Sequence, residues 1–363
     1  MNIAIFTEAY HPIINGVVIS IDTFKKELEK LGHNIYIFAP GAPNYEDISP
    51  NIFRFFSLPY PVKIEYRLTL PFPKKIFKIF RSLEIDIIHS QHPFFVGEIA
   101  LKLARKEKIP IVFTYHTQYD KYTHYIPLIP QDFLKKLVNL WVRNYCNQCD
   151  LIISPSEYIK EKIKDSGVKR EIEVIPTGID LEEFKNLDRE KIRKIYNIDE
   201  NDKVLVFAGR LAKEKNIEFL LEVFKILSLE ISDVHFLIVG GGPEEENFKN
   251  LIKKMGLKNV IITGYLPKNQ VFNCFAASDI FVFSSLTETQ GLVVLEAMAS
   301  YLPAVVVRGP GVEELIDDGV DGFLTPPDKI YFKEKITKLI LDKNLYYKMS
   351  QAARKKAEKF SSK

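Results

Sequence analysis

The residues best placed to do chemistry cluster late in the chain. Ser285-Leu286-Thr287-Glu288-Thr289-Gln290-Gly291-Leu292 follows an apolar, strand-like run and opens a helix-like one, and Glu296 lies eight positions beyond Glu288. A helix beginning near Gly291 leaves Glu288 in the preceding loop and puts Glu296 more than one turn inside. The helix start between them offers free backbone N–H groups and the positive end of a dipole. A phosphate binds there without side-chain help. Gly291 allows a ligand close to the backbone. Carboxylates accept hydrogen bonds from hydroxyl groups and do not suit phosphate. The pattern therefore fits a ligand that is both phosphorylated and rich in hydroxyls.

Three further segments favour an anion. Gly209-Arg210-Leu211 and the nearby Lys215 follow the apolar run 204–208. Arginine grips a diphosphate bidentately and lysine serves as a point charge. Gly240-Gly241-Gly242-Pro243 predicts a tight strand-to-helix turn, with Pro243 suited to the first helical position. It is not G-x-G-x-x-G, which disfavours a dinucleotide site. Asn15-Gly16-Val17-Val18 joins the first strand to the first helix and is another anion-friendly loop. His116 follows the run 111–114 and so sits in a sheet-end loop. The other histidines show no metal-ligand spacing, and no protein-bound metal is expected. Cys146 and Cys149 form a lone C-x-x-C without a second pair, which reads as structural; the low, odd cysteine count predicts a reducing, cytoplasmic setting.

The elements that must position these residues alternate along the chain. Short apolar runs at 2–6, 35–38, 85–89, 111–114 and 151–154 interleave with helical patterns at 17–31, 96–106, 133–145 and 157–165. The alternation restarts with strands at 204–208, 234–239, 260–262, 280–283, 304–307 and 322–324. Helices are expected between them near 217–229, 244–255, 270–277 and 291–300, with a last one near 329–341. This is the pattern of parallel α/β sheets. With 363 residues the chain has room for two such domains. The polar segment 175–193 predicts a linker, with domains at 1–180 and 181–363. Two sheets of this kind would face each other across a cleft, with ligands at the carboxyl ends of the strands.

Composition sets bounds. The chain is 46% hydrophobic and 27% charged, as in soluble globular proteins. Its net charge of +3 is too small to indicate nucleic acid. Residues 51–150, however, carry 15 Lys/Arg against 8 Asp/Glu, which suggests an anionic partner such as a membrane surface. The near-apolar stretch 291–307 contains Glu296, Ser300 and Pro303, so no spanning helix is expected. The opening MNIAIFTEAY enters a strand pattern with no basic leader, and no signal peptide is expected.

Taken together, Asn15-Gly16-Val17, Gly209-Arg210-Leu211 with Lys215, the three glycines at 240–242 and TETQGLVVLEAM resemble the retaining glycosyltransferases of family 4. The resemblance runs from residue 2 to about 355. It implies the GT-B fold, an α/β architecture of two Rossmann-like domains facing across a cleft, and transfer of a sugar from a nucleotide donor. It implies that Arg210 and Lys215 bind the donor diphosphate, that Glu296 holds the ribose, and that Glu288 with the amides of Gln290, Gly291 and Leu292 holds the sugar. It places Gly16 against the phosphate from the other domain, His116 near the reacting centre, and Gly209, Gly241, Tyr265 and Leu266 around the nucleotide. It implies no tightly bound cofactor, though Mg²⁺ can accompany the donor.

The resemblance also bears on the acceptor, which the first domain usually holds. The segments 73–81 and 133–143 are basic and apolar and could rest on an anionic bilayer. The run Tyr115-His116-Thr117-Gln118-Tyr119 through His124-Tyr125-Ile126-Pro127, with Thr287-Glu288-Thr289-Gln290-Gly291, is similar to bacterial enzymes that glucosylate diacylglycerol. The expectation is a UDP-glucose donor and a lipid acceptor, with the protein peripheral on the inner face of the cell membrane. A GDP-mannose-dependent mannosyltransferase, a GT-B-like sugar-nucleotide epimerase and a non-catalytic sugar-nucleotide binder are the alternatives. Two departures stand out. Tyr301 occupies a position where the family commonly has Gly, and members usually continue beyond the equivalent of Lys363 into a further helix.

Overall fold

The computed structural model describes residues 1–59, 67–69, 74–126 and 129–362. It divides into two compact units, Met1–Thr177 and Gly178–Lys363. The first holds a parallel sheet of β1 (Asn2–Phe6), β2 (Asn34–Pro40), β3 (Ile52–Phe55), β6 (Ile87–Ser90), β7 (Ile111–Thr114), β8 (Leu151–Ser154) and β9 (Glu171–Val174). Strands β4 (Ser57–Pro59) and β5 (Arg67–Thr69) form a separate antiparallel pair. The order β3-β2-β1-β6-β7-β8-β9 reverses direction between β1 and β6, which pair from Ile3↔Ile87 to Phe6↔Ser90.

The second unit repeats the plan. Strands β10 (Lys203–Ala208), β11 (Val234–Val239), β12 (Val260–Ile262), β13 (Ile280–Phe283), β14 (Ala304–Val307) and β15 (Gly322–Thr325) lie in the order β12-β11-β10-β13-β14-β15. Its reversal falls between β10 and β13, paired through Leu205↔Ile280 and Val206↔Phe281. Both units are α/β, Rossmann-like, with parallel sheets. In such sheets the loops at the reversal are where a ligand can reach the carboxyl ends.

The central strands form because their Val, Ile, Leu and Phe runs are covered on both faces. In β1 the alternation is explicit: Ala4 and Phe6 join one core cluster, Ile3 and Ile5 the other. Helix starts are fixed by side-chain caps. Asn15 Oδ1 accepts from Val18 N–H at 3.0 Å and opens helix Gly16–Lys30, and Ser156 caps Glu157–Asp165.

Two expectations need correction. The predicted linker at 175–193 is structured: Asp188 caps helix Arg189–Ile195, Phe184 packs on Phe272 at 4.3 Å, and Arg193 is buried beside Asp279. Its polar run is a capping signal. Pro243 is not the first helical residue; the helix is Glu245–Met255 with Glu244 as its cap. Glu244 N–H donates to Leu211 O at 3.0 Å, so the glycine turn is pinned to the loop after β10 before the helix begins. Cys146 and Cys149 are free and buried.

Candidate active site

In the second unit, four strand-end loops are laced together. Gly209 N–H donates to Val239 O, Leu211 N–H to Gly241 O, and Gly240 N–H to Gly264 O, at 2.9, 2.9 and 3.1 Å. The glycines permit this closeness. A Cβ on Gly240 would stand 2.1 Å from Gly209 O, and one on Gly242 would stand 2.4 Å from Leu211 O. The exposed ring of Tyr265 lies across Gly241, where a Cβ would meet it at 2.7 Å, while Leu266 packs against the core.

The loop after β13 joins this set through buried hydroxyls. Ser284 Oγ donates to Lys215 O and Asn216 O, each at 2.9 Å, and Ser285 Oγ to Glu214 O at 3.3 Å. Lys215 Nζ then donates to Glu288 Oε1 at 2.5 Å. Burial alone would push the Glu288 carboxyl up; the Lys215 charge and the hydrogen bonds from Lys215 and Ser285 outweigh it and hold the carboxyl below its ordinary value. Arg210 lies in the same loop, 4.0 Å from Glu214.

Gly291, with φ 84°, caps helix Leu292–Ala299 without a side chain. Gln290 is buried just before it. Glu296 stands one turn inside, buried, and burial raises its carboxyl to about 7 against the weaker pull of Lys268. Lys268 is held by Glu183 at 2.5 Å. Lys215, Glu288, Gln290, Gly291, Leu292 and Glu296 therefore gather around one helix start. A cation, two carboxyls and uncapped N–H groups at a sheet reversal suit a diphosphate bearing hydroxylated groups.

In the first unit, β1, β6 and β7 end in a polar cluster. His116 Nε2 donates to Gln91 Oε1 at 2.6 Å. Burial, with His92 and His89 nearby, lowers its pKa well below the ordinary value and keeps the ring neutral. Glu8 N–H donates to His92 Nδ1 at 3.1 Å, and burial lowers His92 to about 3. Gly16, exposed at the start of helix Gly16–Lys30, has nothing within 4 Å of where a Cβ would point. Among the described residues no group of three or more His, Cys, Asp or Glu side chains could hold a metal ion.

Comparison with known proteins identifies the architecture's owner. The description "Glycosyltransferase Family 4" matches residues 14–183, and "Glycosyl transferases group 1" matches residues 188–356. An alpha-monoglucosyldiacylglycerol synthase of Streptococcus pneumoniae is 35% identical over 89% of this chain and 75% of its own. The chain is a family 4 glycosyltransferase. A GDP-mannose-dependent alpha-mannosyltransferase of Corynebacterium glutamicum is also similar to this enzyme, at 29% identity over 97% of this chain and 84% of its own. Anabaena HepE, solved with UDP and glucose, shares the fold at a TM-score of 0.81 and 19% identity, covering 100% of this chain and 96% of its own. The GT-B architecture is thus common to the enzyme and this neighbour.

Sequence reasoning missed several neighbours of these groups. Gly311, φ 72°, lies against the 288–290 backbone, where a Cβ would stand 2.7 Å from Thr289 C; the G-P-G at 309–311 was the available signal. Glu8, Gln91 and His92 meet only because β1 and β6 are adjacent, and no local spacing announces that. Of the two basic, apolar segments, helix Lys74–Ser82 turns Ile76 and Phe80 into the core; Pro73 and the side chains of Lys74 and Lys75 lie outside the described residues, as does Pro127. Helix Gln131–Cys146 instead leaves Phe133, Leu137, Leu140 and Trp141 exposed on one stripe, beside Lys135 and Lys136.

Proposed function

We propose that the enzyme is a retaining hexosyltransferase that moves glucose from UDP-glucose to a lipid alcohol such as diacylglycerol at a membrane surface. Residues 181–363 bind the donor and residues 1–180 the acceptor. The observation that carries the lipid reading is the exposed stripe Phe133, Leu137, Leu140 and Trp141 with its flanking lysines. Such a face rests on an anionic bilayer. The diacylglycerol-acting relative, by its name, points the same way.

The transfer follows from the residues. Arg210, Lys215 and the N-terminus of Leu292–Ala299 receive the diphosphate. Glu296 accepts from ribose hydroxyls, and Glu288 with the backbone at 290–292 holds the sugar. Gly209, Gly241, Tyr265 and Leu266 line the nucleotide, and Gly16 leaves room for phosphate. His116, neutral and oriented by Gln91, donates to or accepts from a sugar hydroxyl near the reacting carbon. The acceptor oxygen attacks the anomeric carbon from the face the donor phosphate leaves. The carbon–oxygen bond to the diphosphate breaks with its electron pair going to the phosphate oxygen, which takes the acceptor's proton. The cations stabilise that growing charge. Mg²⁺, where present, arrives with the diphosphate, and no protein ligand set is assigned to it.

The test is UDP release from UDP-glucose with and without anionic vesicles containing diacylglycerol, with mass spectrometry of the lipid. Vesicle-dependent release with a hexose added to the lipid is the expected result. Absence of both removes this donor–acceptor pair. A second reading, mannosyl transfer from GDP-mannose, is favoured by the mannosyltransferase relative; the same assay with GDP-mannose and soluble sugar acceptors separates it.

A further inference from the structure

The ends of β1 and β2, with β3 and β5, enclose a cavity of ≈ 130 Å³ whose lining includes Glu8, Tyr10, Ile13, Pro40, Arg54 and Arg67. Its charges are distributed unevenly. Arg54 is spent on Asp47, Pro40 O and His11 O. Arg67 donates to the hydroxyl and the carbonyl of Ser57. Neither arginine is paired with Glu8. The Glu8 carboxyl has one anchor, Val96 N–H, which donates to its Oε1 at 3.2 Å from the first turn of helix Phe95–Glu107. Among the described residues its Oε2 has no hydrogen-bond partner.

A half-buried carboxyl without a counter-ion costs stability. The same unit spends its other inward carboxylates on partners, Asp47 on Arg54 and Asp22 on Tyr10 and His11. Burial, opposed only by the Val96 hydrogen bond, raises Glu8 to about 7. Its backbone N–H meanwhile holds His92 Nδ1, so Glu8 belongs to the polar cluster at the ends of β1 and β6. A carboxyl fixed at one oxygen and open at the other, in a cavity walled by Ile13 and prolines, suits the hydroxyl of an uncharged, apolar-bodied alcohol.

We propose that Glu8 is an acceptor-binding residue: Oε2 accepts the hydrogen bond of an acceptor hydroxyl, and the cavity beside it seats the apolar body that carries that hydroxyl. The proposal deepens the glycosyl-transfer reading and rests on it.

Glu8→Gln tests it. The amide keeps the side chain's shape and the acceptor for Val96 N–H, but turns the open oxygen into a donor. Three quantities are read: acceptor-dependent transfer, acceptor-independent UDP release, and nucleotide affinity by fluorescence titration. The expected result is transfer lowered roughly 10- to 100-fold, chiefly through the acceptor KM, with UDP release and nucleotide affinity within about twofold of wild type. Glu8→Asp, which withdraws the carboxylate while keeping its charge, should show the same split. Unimpaired transfer in Glu8→Gln overturns the proposal, as does an equal loss in all three quantities in both variants. Wild type is run first against diacylglycerol, soluble alcohols and sugars with UDP- and GDP-sugars. Failure of wild type with every pair defeats the transfer reading itself; wild-type transfer with an intact Glu8→Gln defeats only the role of Glu8.

Discussion

At the scale of residues, Lys215 matters through the company it keeps. Its ammonium bonds Glu288 while its backbone carbonyl is held by Ser284, so charge and loop are fixed together. On the proposed reading, a donor diphosphate meets a cation that needs no reorganisation, the condition under which such groups are worth most. Lys215→Ala or Arg210→Ala should each lower turnover by about 100-fold, as measured by UDP release at saturating donor; full activity in both would remove them from the diphosphate site. Glu296 yields a different prediction. Its carboxyl rises from an ordinary 4.5 to about 7, so between those values the folded chain holds a proton that the unfolded chain has released. Stability from that proton is full below about 4.5 and is lost as pH rises through 7. Glu296→Gln is neutral throughout. Its Tm relative to wild type should therefore climb by about 2–6 °C between pH 5 and pH 8, and its nucleotide affinity should lose the pH dependence shown by wild type. A Tm difference that is the same at both pH values would contradict the assignment. The two glutamates were legible in the sequence because one helix start separates them. Glu8, Gln91 and His92 were not, since only the pairing of β1 with β6 assembles them.

At the scale of elements, the fold was legible wherever apolar runs were unbroken. The strands from β10 to β15 were readable almost to the residue, because Val, Ile, Leu and Phe recur in each. β9, with the sequence EIEV, was not: it is an edge strand that turns its two glutamates outward, so its pattern carries little apolar signal. Helix Arg189–Ile195 hid in a polar stretch because its capping Asp188 looks like loop sequence. Tyr301 shows the opposite situation, a local rule broken and compensated. It follows helix Leu292–Ala299 with φ 65°, a conformation that favours glycine and explains the family's usual residue there. The ring lies 5.4 Å from the Arg354 guanidinium, and Ser350 Oγ donates to Tyr301 O at 2.7 Å. Helix Lys343–Glu358 thus holds the end of the helix whose start is the proposed phosphate site. Helix Gln131–Cys146 is the other element whose residues exceed what packing requires. Leu134, Val142 and Tyr145 satisfy the core, leaving the outward stripe for something else. Trp141 Nε1 donates to Pro93 O at 3.1 Å, which ties that stripe to the loop beside His92.

At the scale of the whole molecule, the near-neutral total conceals a division of charge. Residues 1–177 carry 23 Lys/Arg against 19 Asp/Glu, a net +4, while residues 178–363 carry 27 against 28, a net −1. The excess lies in the unit that also exposes Phe133, Leu137, Leu140 and Trp141. No described helix is long and apolar enough to cross a membrane; on the proposed reading, the lipid acceptor is met at the exposed stripe. Two forces would then share the work. Apolar insertion is insensitive to salt, whereas attraction between lysines and anionic lipid is screened beyond about 8 Å at physiological ionic strength. Raising NaCl from 50 to 500 mM should therefore weaken binding to anionic vesicles by roughly tenfold, with little change on neutral ones. Paired substitution Leu137→Glu with Leu140→Glu should weaken both, while nucleotide affinity stays at the wild-type value. Sedimentation with vesicles of each composition reads the two effects separately. If the paired variant sediments with both kinds of vesicle as wild type does, this stripe is not the lipid-facing surface.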